Sequence, residues 1–228
     1  MARGRADGNL LGLIGLQSAV APSLLKVMPY ETLRDLSPVR QLTTVNNVLV
    51  MRADSPLRTL DDVARAARLE PLTYASGGNA TPAHLAAELF AQESRAPLRH
   101  VPFNGSVAGV TALPGGHVQL MFATVPAVAP QVQAGTLRAL ATSAQDRLPL
   151  LPHVPTLTEL GWPGAAMRDW HGLVVPAGTP SERVRQLADP TGRILAQAAV
   201  RDRLLGQGLD PVAASGPEAF RDWIGAEV

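Results

Sequence analysis

Between Leu72 and Ser143 the chain alternates short apolar runs with longer helical ones, and few folds satisfy that alternation. "LTYAS" (72–76) is followed by a helix signal from Thr81. "RHVPF" (99–103) leads through Asn104-Gly105-Ser106 into "VAGVTAL" (107–113), and "HVQLMFA" (117–123) leads through Thr124 into "PAVAPQVQAG" (126–135). "LRALATS" (137–143) is a fourth strand pattern. Strands alternating with helices of about 10–15 residues predict βαβ units, an α/β class and a mostly parallel sheet.

Flanking segments extend the pattern. "NLLGLIGL" (9–16) reads as a buried strand, and "VNNVLVMRADSP" (45–56) ends another. "SPLRTLDDVARAAR" (55–68) carries a helix start, with Thr59 as cap and Asp61 and Asp62 in the first turn. Thr156 with Glu159, and Thr179 with Glu182, stand at capping-box spacing, and Pro180 is expected at a first helical position. Pro190 is expected to kink or end its helix, and "AQAAVRDRLLGQG" (196–208) to end at its glycines.

Composition removes several function classes. The net charge is +1 with basic residues scattered, which offers no electrostatic footprint for nucleic acid or an anionic membrane. No cysteine is present, so disulfides, thiol catalysis and cysteine-held metals are excluded. His84, His100, His117, His153 and His171 show no metal-ligand spacing, so no metal and no cofactor is expected. Phosphate-loop and dinucleotide signatures are missing. No apolar stretch reaches a membrane span, and "MARGRADGNLLGLIGL" (1–16) does not read as a signal peptide.

In a parallel α/β sheet the strand-to-helix turns share one edge, and ligands bind outside it. Ser76, Ser106 and Thr124 fall at three successive turns of this kind. Each precedes a helix start, where unpaired N–H groups and the helix dipole favour an anion. Gly77, Gly78 and Gly105 permit close approach to the backbone. The turns therefore suit a carboxylate cradle, and they equally suit ordinary Ser/Thr capping. His84, in the first turn of its helix, fits a ligand contact, a general base or a structural hydrogen bond. A Ser76/His84 hydrolytic enzyme is the rival, without a G-x-S-x-G elbow or an acidic orienter.

"LTYASGGNATPAHLAAELF" (72–90) resembles the glycine-rich signature of Bug-type receptors, the extracytoplasmic solute-binding proteins of tripartite tricarboxylate transporters. The resemblance runs on through "HVPFNGSVAGVTALPGGHVQLMFATVPAVAPQVQAGTLRALATSAQDRLPLLPHVPTLTELGWPG" (100–164), "DWHGLVVPAGTP" (169–180) and "VRDRLLGQGLDPV" (200–212), and upstream through "RADGNLLGLIGLQSAVAPSLLKVMPYETLRDLSPV" (5–39). It implies a two-lobed periplasmic binding protein-like fold of type II: residues 1–51 plus 170–228 as a first lobe, residues 52–169 as a second, and "NVLVM" (47–51) and "HGLVV" (171–175) as crossover strands. It implies capture of a small carboxylate in an interlobe cleft, without catalysis, and delivery to the transporter's membrane subunits from the periplasm, by a protein monomeric when full length. Carried over by position, the ligand contacts are Ser18, Ser76, Gly78, Asn79, Thr81, Asn104, Ser106, Ala123 and Thr124. Ala123 stands where many members carry an acidic residue, and the family's first βα unit has no counterpart here, so the N-terminal lobe is expected to be incomplete. A cytoplasmic two-lobed ligand-sensing module is a further alternative.

Overall fold

The structure is a computed structural model that describes residues 1–24 and 29–227; Lys26, the single lysine, lies outside the described residues. The chain divides into two units, residues 1–44 with 169–228 and residues 45–168.

The second unit is built on a five-stranded sheet. Its strands are β3 (Asn47–Arg52), β4 (Leu72–Ser76), β5 (Leu98–Pro102), β6 (Leu120–Thr124) and β7 (Leu137–Thr142), in the order β5-β4-β6-β3-β7. β4 pairs parallel with β5 and β6, as βαβ units require. β3 runs antiparallel to both β6 and β7, which makes the sheet mixed rather than mostly parallel. β3 is thus a central strand of this sheet, and the crossing into the unit lies before it, after Thr44.

Both faces of the sheet are covered, so β3 is apolar throughout Val48–Met51 rather than alternating. Leu49 and Met51 pack with Tyr74, Leu120 and Phe122 against α3 (Leu60–Leu69) and α4 (Pro82–Ser94). Val48 and Val50 pack with Ala75, Met121 and Ala123 against α5 (Ser106–Ala112) and α6 (Val125–Gln133). Burying each large side chain contributes about 1.5–3 kcal/mol. Thr59 caps α3 as expected, and with Asp62 it completes a capping box that the sequence reading did not name; the box expected at Thr156/Glu159 also forms.

The first unit carries a four-stranded sheet in the order β1-β8-β2-β9, from β1 (Gly12–Gly15), β2 (Leu36–Val45), β8 (Asp169–Pro176) and β9 (Leu209–Pro211). β1 runs antiparallel to β8. Helices α1 (Leu16–Leu24), α2 (Thr32–Asp35), α7 (Ser181–Leu195), α8 (Ala198–Leu205) and α9 (Pro217–Glu227) complete it. Gly172 of β8 leaves room for the Phe220 ring: a Cβ there would lie 1.9 Å from the ring's Cζ. Phe220 then meets Trp170 edge-on at 5.4 Å.

Two local expectations are corrected in α7. Thr179 does not cap it, because its hydroxyl donates back to the Pro176 carbonyl at 2.7 Å, and the cap position is Pro180, without a side-chain bond. Pro190 does not end it: the helix continues to Leu195. Val184 and Ala188 before the proline, and Gly192 and Leu195 after it, are buried, so packing on both sides holds the helix together. The carbonyl that Pro190 deprives of a partner belongs to Gln186, an exposed residue.

Candidate functional site

The pairing directions bring the C-terminal ends of β4, β5, β6 and β7 and the start of β3 to one edge of the second unit's sheet. The first turn, Ser76–Thr81, and the second, Phe103–Ser106, interlock through their backbones. Phe103 N–H donates to the Ser76 carbonyl at 3.0 Å, and Gly105 N–H to the Gly77 carbonyl at 3.1 Å. A Cβ on Gly77 would lie 3.0 Å from both the N and the Oγ of Ser106, so glycine is what lets the turns close on each other. Gly78 and Gly105 hold φ of 132° and 94°, in the region that favours glycine.

Ser76 is fully buried and its hydroxyl is spent internally. It lies 2.7 Å from His100 Nε2, 2.9 Å from the Gly78 carbonyl and 3.1 Å from Gly78 N. Thr81 caps α4, accepting from His84 N–H while donating to the same Gly78 carbonyl at 2.8 Å. His84 Nδ1 accepts the Ala80 N–H at 3.0 Å. The rings of Tyr74, His100 and His84 form a stack, with centroids 4.8 Å apart for Tyr74–His100 and 4.1 Å for His84–His100. Tyr74 donates its hydroxyl to Glu88 at 2.5 Å. Burial and that carboxylate hold the phenol protonated, its pKa far above the usual value. Burial, and then the neighbouring His84, push the pKa of His100 below the usual histidine value.

The other two turns leave their hydroxyls free. Ser106 is the first residue of α5, whose cap position is Gly105 and has no side-chain bond. Thr124 stands at the cap position of α6 and makes no side-chain cap bond. Its strand partner is Asn47, which is fully buried with neither Nδ2 nor Oδ1 partnered among the described residues. Asn79 and Asn104 are exposed at the tips of their turns. No Lys or Arg occurs in residues 76–81, 103–106 or 123–126, so these three turns offer neutral donors only.

Comparison with known proteins places the chain in a family. The family model for the tripartite tricarboxylate transporter family receptor matches residues 1–222. A UPF0065 protein from the tcbD-tcbE intergenic region of Pseudomonas sp. (strain P51) is 34% identical over 230 residues, covering all of this chain and 68% of its own length. Protein BugT of Bordetella pertussis is 33% identical, covering all of this chain and 71% of its own. This chain belongs to the tripartite tricarboxylate transporter receptor family. Among solved structures, Rpa4515 of R. palustris with adipate superimposes with a TM-score of 0.91 at 29% identity, covering 99% of this chain and 76% of that one. The periplasmic binding protein BugD gives a TM-score of 0.91 at 26% identity, covering 100% and 77%. The fold is accordingly the two-lobed, type II periplasmic binding protein fold.

Within this family fold, the sequence-derived residues separate by role. Gly78, Asn79, Thr81, Asn104, Ser106 and Thr124 lie along the edge. Ser76 lies beneath it, with its hydroxyl turned to His100 and Gly78 rather than outward. Ala123 is inside β6 and fully buried against the α5/α6 face, because residues alternate across a strand and Thr124 takes the other side. Ser18 belongs to the other unit, on α1, where its carbonyl accepts the Thr32 hydroxyl at 2.8 Å. The Ser76/His84 pair required by the enzyme alternative does not form: the imidazole on Ser76 is His100, and His84 Nδ1 faces Ala80.

Sequence reasoning passed over His100, Tyr74, Glu88 and Asn47. The signal for His100 was available: β4 and β5, paired parallel and in register, set Tyr74 opposite His100, one step from Ser76 on the same face. The signal for Asn47 was not, since it depends on β3 running antiparallel beside β6.

Proposed function

We propose that this receptor binds a small di- or tricarboxylate at the edge formed by the Ser76–Thr81, Phe103–Ser106 and Thr124 turns, and that it presents the ligand, from the periplasm, to the membrane subunits of a tripartite tricarboxylate transporter. The observation that carries the reading is the division of labour among the hydroxyls. Ser76 and Thr81 are consumed in building the first turn, while Ser106 and Thr124 open their helices without capping them. Free hydroxyls beside glycine backbone and a helix start are donors that a carboxylate accepts without a fixed cation. The buried amide of Asn47, paired across the ladder with Thr124, adds a donor and an acceptor at the same edge.

Family membership supports the receptor role, and similar proteins have been seen with such ligands: Rpa4515 with adipate, and MatC of Rhodopseudomonas palustris with bound malate, the latter superimposing with a TM-score of 0.88 at 28% identity. No described helix is long and apolar enough to cross a membrane. The reading involves no chemical step on the ligand, and Ser76, the only serine paired with an imidazole among the described residues, is fully buried. Calorimetry with malate and adipate on the wild type and Ser106→Ala tests it. A hydrogen bond to a charged group is worth roughly 1.5–3 kcal/mol, so the variant is expected to bind about tenfold or more weakly. Equal affinities would remove Ser106 from the site and return its turn to a connector.

A further inference from the structure

The bonds around the first turn engage one ring nitrogen of each of the two histidines beneath it. His84 Nδ1 accepts the Ala80 N–H, so it carries a lone pair; the ring is neutral and its proton sits on Nε2. The Ser76 hydroxyl has one proton to give and two lone pairs to offer. Donating to the Gly78 carbonyl and accepting from Gly78 N–H and from His100 Nε2–H uses all three. Ala80 holds a φ of 59°, unusual for a residue with a Cβ, so the turn keeps its shape through these bonds rather than through local preference.

The charged and titratable groups that face the pair are few. From β4 comes Tyr74, stacked on His100 and engaged with Glu88. From α4 comes Glu88, whose carboxylate lies 3.9 Å from His84 Nε2, across the ring from the Nδ1 that holds Ala80. From β5 comes His100 itself. Stacking at 4.1 Å opposes charging both rings. A proton on His84 Nδ1 replaces the acceptor by a donor that points at another donor, the Ala80 N–H.

We propose that His84 and His100 are positioning residues for the Ser76–Thr81 turn, and that adding a proton to the pair loosens the turn and weakens carboxylate binding there. The proposal deepens the ligand reading above and rests on it for its second half. The lowered pKa of His100 agrees with a pair built to be neutral when the turn is closed. Such a receptor holds its ligand at neutral pH and releases it as the surroundings acidify.

The test has two arms on the whole chain. In the first, ring-nitrogen and backbone-amide NMR follow the wild type from about pH 7.5 to about pH 5, across the ordinary histidine range. The expected result is a neutral His84 with an accepting Nδ1 at the upper end, and Ala80 and Gly78 amide signals that shift with the same midpoint as the rings. Rings that protonate while those amides stay still overturn the proposal. In the second, malate is titrated into the wild type, His84→Phe and His84→Gln at the two pH extremes. The ligand's own titration is common to all three proteins, so the ratio between them is the readout. The wild type should lose roughly tenfold in affinity on acidification, the size of one lost hydrogen bond to a charged group. His84→Phe keeps a stacked ring without an acceptor, and should be weak at both extremes. His84→Gln, whose amide oxygen can take the Ala80 N–H, should regain affinity without the pH dependence. The same pH ratio in the wild type and His84→Phe sinks the proposal and leaves the ligand reading intact. If no protein binds malate at neutral pH, the ligand reading fails together with the binding half, and the NMR arm decides the positioning role. That arm also decides it if the variants fail to fold.

Discussion

Ser76 and Ser106 look alike in the sequence, each ending a strand pattern before a helix, and the structure gives them opposite tasks. Ser76 is a buried pin with three contacts, and Ser106 is a free hydroxyl at the mouth of α5. Replacing each by Ala should therefore separate stability from binding. Ser76→Ala leaves the half-buried His100 imidazole and the Gly78 N–H without their hydroxyl partner, at about 0.5–1.5 kcal/mol for each lost bond; thermal unfolding should show the loss directly. Ser106→Ala should leave the unfolding temperature in place and lower carboxylate affinity. Matching losses of stability in both variants would refute the division. His100 adds a pH dependence whose sign follows from its lowered pKa. The unfolded chain takes up a proton near the ordinary value of about 6.5, before the folded protein does. The contribution is thus complete above that value and falls as the pH drops from it toward the folded pKa. His100→Gln should flatten the denaturation profile in that window, and an unchanged profile would mean that the ring titrates as if unfolded.

At the scale of elements, the local signals that were legible are those confined to a few neighbouring residues. Thr59 and Thr156 form their capping boxes because cap and acid are three residues apart with nothing competing. Thr179 had the same spacing from Glu182, yet a carbonyl three residues upstream took its hydroxyl, a rivalry that spacing does not reveal. Pro190 shows the same limit from the other side, since burial on both flanks overrides a strong helix breaker. The helix keeps its course at a cost, so Pro190→Ala should stabilise the protein by about 2–2.5 kcal/mol, the restored helix propensity less the entropy that proline removes from the unfolded chain. Chemical denaturation reads this as a higher midpoint with an unchanged slope. A lower midpoint would show that α7 depends on the ring's packing.

For the whole molecule, the order of strands and helices in residues 72–142 was readable from periodicity, and the edge on which three turns gather followed from it. The antiparallel insertion of β3 was not, because a strand buried on both faces carries no mark of its direction. That one strand brings Asn47 to Thr124, so the site was read from the sequence without its buried amide. His100, by contrast, looked isolated only because its partners Ser76 and Tyr74 lie about two dozen residues upstream; pairing β4 with β5 in register brings them together. The function we propose for these features is reversible capture of a carboxylate by neutral donors at the end of one sheet. Isothermal titration of malate and adipate into the protein at neutral pH tests that claim most directly, since heat distinguishes saturation from turnover. The account predicts a saturable, one-to-one isotherm for at least one of them, with heat returning to baseline after every injection. Absence of binding by either ligand, or a sustained heat flow that signals conversion of the ligand, would contradict it.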